Sequence, residues 1–133
     1  MLDSFALIVL FLRQRGEDRV REFIQRAIDR GEKYFLSAIN YGEVYYTLWQ
    51  SNGEPAATYA MNEIVHLPIE IVDPPREQTL RAASLKTIGG VSYADCFAAA
   101  LALEKDVPVL TGDPEFHRLE LHSLKIEWLP PNR

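Results

Sequence analysis

The chain has 133 residues, 47% of them hydrophobic and 25% charged, which favours one domain with a substantial core and excludes an intrinsically disordered chain. Its only cysteine, Cys96, excludes an internal disulfide. The formal net charge of −5 at pH 7 counts against binding to a polyanion unless the charge is unevenly spread or bound cations neutralise part of it.

The first apolar run, residues 5–12, resembles neither a targeting signal nor a membrane span. No positively charged segment precedes it, and it is too short to cross a bilayer. We therefore expect a core helix in a cytoplasmic protein that has no membrane partner.

Short apolar runs alternate with longer amphipathic stretches, and no repeat or interdomain linker interrupts the pattern. This alternation is typical of a single α/β domain built on a parallel sheet. The predicted strands cover residues 1–2, 34–37, 69–72, 107–110 and 125–129. The predicted helices cover approximately residues 3–12, 18–30, 39–50, 55–65, 74–87, 92–105 and 114–119.

Four carboxylates lie where such a chain brings its parts to one edge of the sheet. Asp3 and Asp113 directly follow the first and fourth predicted strands, Glu43 lies early in the helix after the second, and Asp95 lies in the first turn of the helix before the fourth. Ligand sites of doubly wound sheets form outside the carboxyl ends of the strands. Several carboxylates at one place repel one another unless a cation joins them, and such oxygen ligands suit Mg²⁺ or Mn²⁺.

Each of these acids, taken alone, also has a structural explanation. Asp3 can cap the first helix, Asp95 lies at capping-box spacing from Ser92, and Asp113 precedes a proline as helix caps often do. Asp73 has the same strand-Asp-Pro form, and we assign it a capping role alone. The set of four, rather than any one residue, indicates a metal site for phosphodiester hydrolysis.

Other candidate groups favour structural roles. The three histidines are scattered and lack the spacing of a helical zinc pair, Cys96 is predicted to be a small buried hydrophobe, and the arginines of the second helix alternate with acids as on a solvated face. An aromatic row at helical spacing is more typical of a core or a subunit interface than of a base-stacking platform. The histidines are His66, His117 and His122, and the aromatic row consists of Tyr41, Tyr45 and Trp49.

Four fragments together resemble the PIN-domain superfamily, and within it the VapC-type toxin ribonucleases of toxin–antitoxin pairs. The fragments are Leu2-Asp3-Ser4-Phe5-Ala6-Leu7, the segment 37–46 around Glu43, the segment 92–102 around Asp95, and the segment 109–116 around Asp113. They occur in the family's order and at suitable spacing, and the resemblance covers nearly the whole chain.

The resemblance implies a PIN-like three-layer α/β/α sandwich over residues 1–133, with a central parallel sheet of strand order 3-2-1-4-5. It also implies an acidic pocket that holds one or two Mg²⁺ or Mn²⁺ ions and hydrolyses RNA to leave 5′-phosphate and 3′-hydroxyl ends. In this family the site residues match Asp3, Glu43, Asp95 and Asp113, which we expect to serve both as metal ligands and as catalytic residues. Ser4 matches a small polar position beside the first acid, and Thr111 matches a supporting hydroxyl.

The resemblance further implies a homodimer and a cognate antitoxin that reaches into the pocket. Family members usually carry several apolar residues before the first acid, whereas this chain has two, so either the start of the chain is assigned late or the first strand is stunted. Two alternatives stay open: a PIN-like RNA-processing nuclease outside any toxin system, and a non-catalytic binding protein that keeps the fold without the metal.

Overall fold

The computed structural model describes residues 1–130 of the chain. Its helices are α1 (Ser4–Phe11), α2 (Glu17–Arg30), α3 (Ala38–Asn52), α4 (Glu54–Ile64), α5 (Arg76–Lys86), α6 (Tyr93–Lys105) and α7 (His117–Glu120), with a 3₁₀ turn at Pro114–Phe116. Its strands are β1 (Tyr34–Ser37), β2 (Ile69–Val72), β3 (Val109–Thr111) and β4 (Ile126–Trp128). The predicted elements are therefore present in the predicted order.

The strands form two parallel pairs, β1 with β2 and β3 with β4. Leu2 lies between the pairs and makes an isolated parallel bridge to Leu36 on one side and to Leu110 on the other. The Leu2 amide donates to the Phe35 carbonyl at 2.8 Å. Leu2 alone therefore represents the first strand of the sheet. The complete order 3-2-1-4-5 stays a prediction, because this central strand is a single bridge residue and not a ladder.

Two hydrophobic cores cover the two faces of the sheet. One contains Leu2, Leu36 and Leu110 with the buried sides of α1 to α4, and the other contains Met1 and Val109 with the buried sides of α5 and α6. Neighbouring strand residues enter opposite cores because successive side chains of a strand point to opposite faces. The structure is therefore an α/β fold with helices packed on parallel strands, as the alternating sequence pattern predicts.

Helix α6 is the most deeply buried helix of the fold. Its alanines 98, 99, 100 and 102 are all buried, and so is Cys96, as predicted. Small side chains let α5 pack closely against α6, and the two form the most extensive helix pair of the second core. This packing fixes the amino-terminal turn of α6, which carries Asp95, relative to the sheet.

One predicted cap is wrong. Asp73 was expected to cap the helix after β2, but α5 begins at Arg76, its N-cap position is Pro75, and no side chain caps it. Two consecutive prolines explain the shift, since a residue that precedes proline is held in an extended conformation. Pro75 itself is extended, with φ −72° and ψ 169°.

The fourth predicted strand also ends one residue later than expected. Strand β3 covers Val109–Thr111, because Thr111 pairs with Trp128 of β4. In the described part of the chain, 1–130, every helix is too short or too polar to cross a membrane.

Candidate metal centre

Asp3 combines a capping role with a place in the acidic site. It is 1% exposed, and its Oδ1 accepts a hydrogen bond from the Ala6 amide at 3.3 Å, as the N-cap of α1. Its Oδ2 accepts a hydrogen bond from the Thr111 hydroxyl at 2.7 Å. The Thr111 oxygen in turn accepts the Asp113 amide at 3.0 Å. Thr111 therefore links Asp3, which follows the first strand, to Asp113, which follows β3.

Three carboxylates converge beyond the end of β3. One oxygen from each of Asp95, Asp113 and Glu115 lies within 4.8 Å of the others. Asp113 accepts the Glu115 amide at 2.9 Å, which caps the 3₁₀ turn, and Glu115 accepts the Ser92 amide at 3.1 Å. Ser92, and not Asp95, provides the side-chain cap of α6, because its hydroxyl accepts the Asp95 amide at 3.1 Å. Capping of α6 therefore does not occupy the Asp95 carboxylate, which can take part in the acidic site.

Glu43 approaches the site from α3. Its Oε1 accepts a hydrogen bond from the Ser4 hydroxyl, and its Oε2 accepts one from the Tyr46 hydroxyl at 3.4 Å. Since Ser4 follows Asp3 directly, this contact ties the carboxylate of α3 to the start of α1. A donor on each oxygen restricts how the Glu43 carboxylate can turn.

Asn40 holds α3 against the beginning of α6. Its side chain is fully buried, and its amide nitrogen donates to the carbonyl oxygen of Ala94 at 3.1 Å. This bond is formed one residue before Asp95 and one turn before Glu43. It therefore sets the distance between the helices that carry two of the four predicted acids.

Burial and mutual repulsion shift the acids toward their protonated forms. Burial is the main cause that raises the pKa of Asp3 to about 7, against the opposing hydrogen bond from Thr111. Burial, followed by the charges of Asp3 and Asp113, raises the pKa of Asp95 to about 8, and Glu43 contributes a smaller increase. The pKa of Asp113 is also raised, chiefly by burial. Asp95 is thus influenced by the charges of the other three predicted acids, whereas the carboxylate group within 4.8 Å contains two of the four, Asp95 and Asp113, together with Glu115.

The donor set fits a hard divalent cation. Carboxylate and hydroxyl oxygens surround the site, and these are the ligands that Mg²⁺ and Mn²⁺ take. Within residues 1–130, no lysine, arginine or histidine forms an ion pair with any of these acids. Their repulsion is therefore left uncompensated by the protein's own cations, and a divalent ion would relieve it.

Sequence reasoning missed three residues of this site: Asn40, Tyr46 and Glu115. The signal for Glu115 was its position two residues after Asp113, because a 3₁₀ turn that starts at Pro114 folds the second acid back toward the first. Tyr46 lies three residues after Glu43, one helical turn away. Asn40 had no comparable signal, since its partner Ala94 is 54 residues distant.

Comparison with known proteins agrees with this architecture. The family model for the PIN domain matches residues 1–121, whereas no curated protein matches the chain. Similar solved structures include VapBC2 from Rickettsia felis bound to a DNA fragment from its promoter, with a TM-score of 0.78, 16% identity and 97% of each chain covered. DNA-bound VapBC from Salmonella typhimurium has a TM-score of 0.75 and 18% identity, covering 96% of this chain and 95% of that one.

A third similar structure is VapC20 of Mycobacterium tuberculosis, described as a Sarcin-Ricin loop cleaving toxin. Its TM-score is 0.70 at 15% identity, with 87% of this chain and 91% of that chain covered. At such identities these likenesses concern the fold. The match of the family model over most of the chain shows that this protein belongs to the PIN-domain family.

Proposed function

We propose that this protein is a Mg²⁺- or Mn²⁺-dependent endoribonuclease and the toxin of a type II toxin–antitoxin pair. The convergence of Asp95, Asp113 and Glu115 within 4.8 Å, beside a buried Asp3 that shares their repulsion, is the observation that carries the proposal. A partly buried acid cluster without a basic partner costs folding free energy. Its retention is explained if the cluster binds a cation for catalysis.

Each acid has a distinct role in the proposed mechanism. Asp3, Asp95 and Asp113 would hold the metal, and Glu115 would add a fourth oxygen donor at the exposed side. A bound divalent ion would supply Lewis acidity, which makes water a stronger nucleophile and stabilises the charge that develops on the phosphate. Glu43, held by Ser4 and Tyr46, would orient the attacking water or bind a second ion. The expected products carry 5′-phosphate and 3′-hydroxyl ends.

Thr111 and Ala6 position Asp3 before any metal arrives. Both oxygens of Asp3 have a donor, at 2.7 Å and 3.3 Å, so the carboxylate needs little rearrangement to bind a cation. The fully buried Thr111 hydroxyl donates to Asp3 while its oxygen accepts the Asp113 amide. This arrangement fixes the positions of Asp3 and Asp113 relative to each other at the end of the sheet.

The toxin assignment rests on the structural neighbours. Several similar structures are VapBC toxin–antitoxin complexes, and VapC20 cleaves the Sarcin-Ricin loop, so an antitoxin partner and an RNA substrate are proposed for this chain too. A homodimer and a cytoplasmic location follow from the same proposal. Growth arrest on expression, relieved by a small protein encoded beside it, would test the toxin role separately from the nuclease role.

Incubation of the purified protein with total RNA tests the nuclease role. Mn²⁺ should support cleavage, EDTA should stop it, and Asp95→Asn should reduce it by at least a hundredfold because an inner ligand is lost. Asp73→Asn is the matched control: Asp73 is exposed, follows a strand in the same way, and lies outside the acidic site. RNA cleavage that persists in EDTA or in Asp95→Asn would overturn the proposal.

A further inference from the structure

The Arg118 side chain packs against the glycine turn that contains Gly90. A Cβ atom placed on Gly90 would lie 2.4 Å from Nε and 2.7 Å from Cζ of Arg118, so the guanidinium rests where any larger residue would place its side chain. Gly90 also has φ +72°, a conformation that glycine adopts readily. The turn therefore provides a defined contact site for the Arg118 side chain, and this contact with Gly90 is called the seat below.

The seat is close to the proposed metal ligands. Ser92, two residues after Gly90, donates its amide to Glu115, and Glu115 belongs to the cluster with Asp95 and Asp113. Two residues of extended chain span at most about 7 Å. Arg118 also follows Glu115 by three residues, on the same short segment. Arg118 is thus connected to the acidic site by two short chain segments, one through Gly90 and Ser92 and one through Glu115.

Arg118 nevertheless has no anionic partner. Among the described residues, no carboxylate oxygen lies within 4.0 Å of its guanidinium, and it makes no hydrogen bond. Two of the four arginines of α2 differ in this respect, because Arg19 pairs with Glu22 and Arg21 with Glu17, each at 2.7 Å. Arg118 is also exposed, so its five donors remain available to a ligand.

We infer that Arg118 binds the RNA backbone through a phosphate next to the one that is cleaved. This inference rests on the proposed nuclease function and adds a substrate contact to it. A planar guanidinium donates two parallel hydrogen bonds to a phosphate, which a single ammonium group does not reproduce. A cation at the rim also offsets the repulsion that the remaining acids exert on an approaching polyanion.

Kinetics on a short single-stranded RNA with Mn²⁺ tests the contact. Arg118→Ala should raise KM about tenfold with kcat changed less than twofold, and Arg118→Lys should restore part of the loss. The logarithm of affinity should also depend less steeply on the logarithm of salt concentration, by about one unit of slope. Unchanged Mn²⁺ affinity and melting temperature in Arg118→Ala would exclude an indirect effect through the metal site or through folding.

A pair of glycine variants tests the seat without altering the charge. Gly90→Ala should raise KM as Arg118→Ala does, since its methyl group displaces the guanidinium. Gly89→Ala is the matched control: Gly89 has φ +85°, so it suffers similar backbone strain, but nothing lies within 4 Å of its added Cβ. We expect equal losses of melting temperature in the two variants and a raised KM in Gly90→Ala alone.

The outcomes separate this contact from the nuclease function. If the wild type cleaves RNA and Arg118→Ala has the same KM, the inference is wrong and the nuclease proposal stands. If the wild type does not cleave, the nuclease proposal fails, and fluorescence anisotropy with the same labelled RNA decides on Arg118. Binding about tenfold weaker in Arg118→Ala would then support the contact, and equal binding would overturn it.

Discussion

Capping and metal binding are not competing roles for the acids of this protein. Asp3 gives one oxygen to the Ala6 amide as an N-cap and the other to the Thr111 hydroxyl, which faces Asp113. Asp113 caps a 3₁₀ turn while it joins the carboxylate cluster. A carboxylate has about four lone-pair sites, so one or two backbone or hydroxyl donors still leave room for a cation. The capping hydrogen bonds therefore orient these carboxylates and still leave oxygen lone pairs for a cation.

The raised pKa values predict how stability depends on pH in the absence of divalent ions. Asp3 and Asp95 have folded-state pKa values of about 7 and about 8, well above the unfolded value of 3.8. The folded state therefore binds more protons than the unfolded state between these limits, and stability falls as pH rises through this window. Each proton contributes a slope of about 1.4 kcal/mol per pH unit.

Chemical denaturation in EDTA between pH 5 and pH 8.5 measures this effect. The wild type should lose stability steadily, whereas Asp95→Asn should lose less and should become more stable than the wild type at the alkaline end. Mn²⁺ should restore the wild type at high pH by binding the folded state alone. Parallel pH profiles for wild type and Asp95→Asn would contradict the shift assigned to Asp95.

Two hydroxyl groups hold Glu43, and removing each should have a different effect. Ser4→Ala deletes a donor from the buried side, and cleavage should fall about fivefold, within the range of one hydrogen bond. Tyr46→Phe deletes a donor that is 3.4 Å away and half exposed, so its effect should stay below about twofold. The ratio of kcat values gives the comparison, and a larger loss in Tyr46→Phe would reverse the assignment.

At the scale of elements, hydrophobic periodicity was sufficient to predict the helices and strands. The errors occurred at the ends of two elements. Pro74 and Pro75 move the start of α5 to Arg76, and pairing with Trp128 extends β3 to Thr111. The four acids could be singled out from the sequence because each lies at a strand end or in the first turns of a helix, and their joint role as a metal site stays a prediction. Arg118 was not, because its seat depends on contact with Gly90, which is 28 residues away in the chain.

The junction between β3 and α1 predicts a strong preference for glycine at position 112. A Cβ there would lie 2.5 Å from Cε1 of Phe5 and 3.1 Å from the Pro130 carbonyl, so Gly112→Ala must displace α1 or the end of β3. We expect a loss of about 1–3 kcal/mol in the free energy of unfolding. Weaker Mn²⁺ binding should accompany it, because Asp3 and Asp113 lie beside these residues.

Gly42 provides the control for this substitution. It lies within helix α3, and nothing is within 4 Å of an added Cβ. Gly42→Ala should therefore stabilise the protein by about 0.5–1 kcal/mol through helix propensity. Denaturant titration of both variants measures the change in the free energy of unfolding. A Gly112→Ala protein as stable as wild type would show that Phe5 moves aside without loss of stability.

For the whole molecule, the distribution of charge matters more than its sum. The formal net charge is −5, yet the arginines of α2 are partly neutralised by neighbouring acids, while the buried acids have no basic partner. Acidic groups are therefore concentrated at the site that the proposed nuclease function assigns to a phosphate. Under that proposal, cations must offset this charge before RNA binds there, so a divalent ion would serve binding as well as chemistry.

This requirement predicts that neutralising the acids strengthens RNA binding while it abolishes cleavage. In EDTA at pH 8.5, where Asp95 is largely ionised, the double variant Asp95→Asn with Asp113→Asn should bind labelled single-stranded RNA more tightly than wild type, by about tenfold at low salt.

The double variant Asp73→Asn with Asp106→Asn changes the net charge equally but at exposed positions outside the cluster. Asp106 already has a left-handed conformation, φ +51°, which asparagine tolerates. Anisotropy titrations should show little gain for this control, and the difference between the pairs should shrink as salt is raised. Equal gains would mean that net charge, and not the converging acids, repels the RNA.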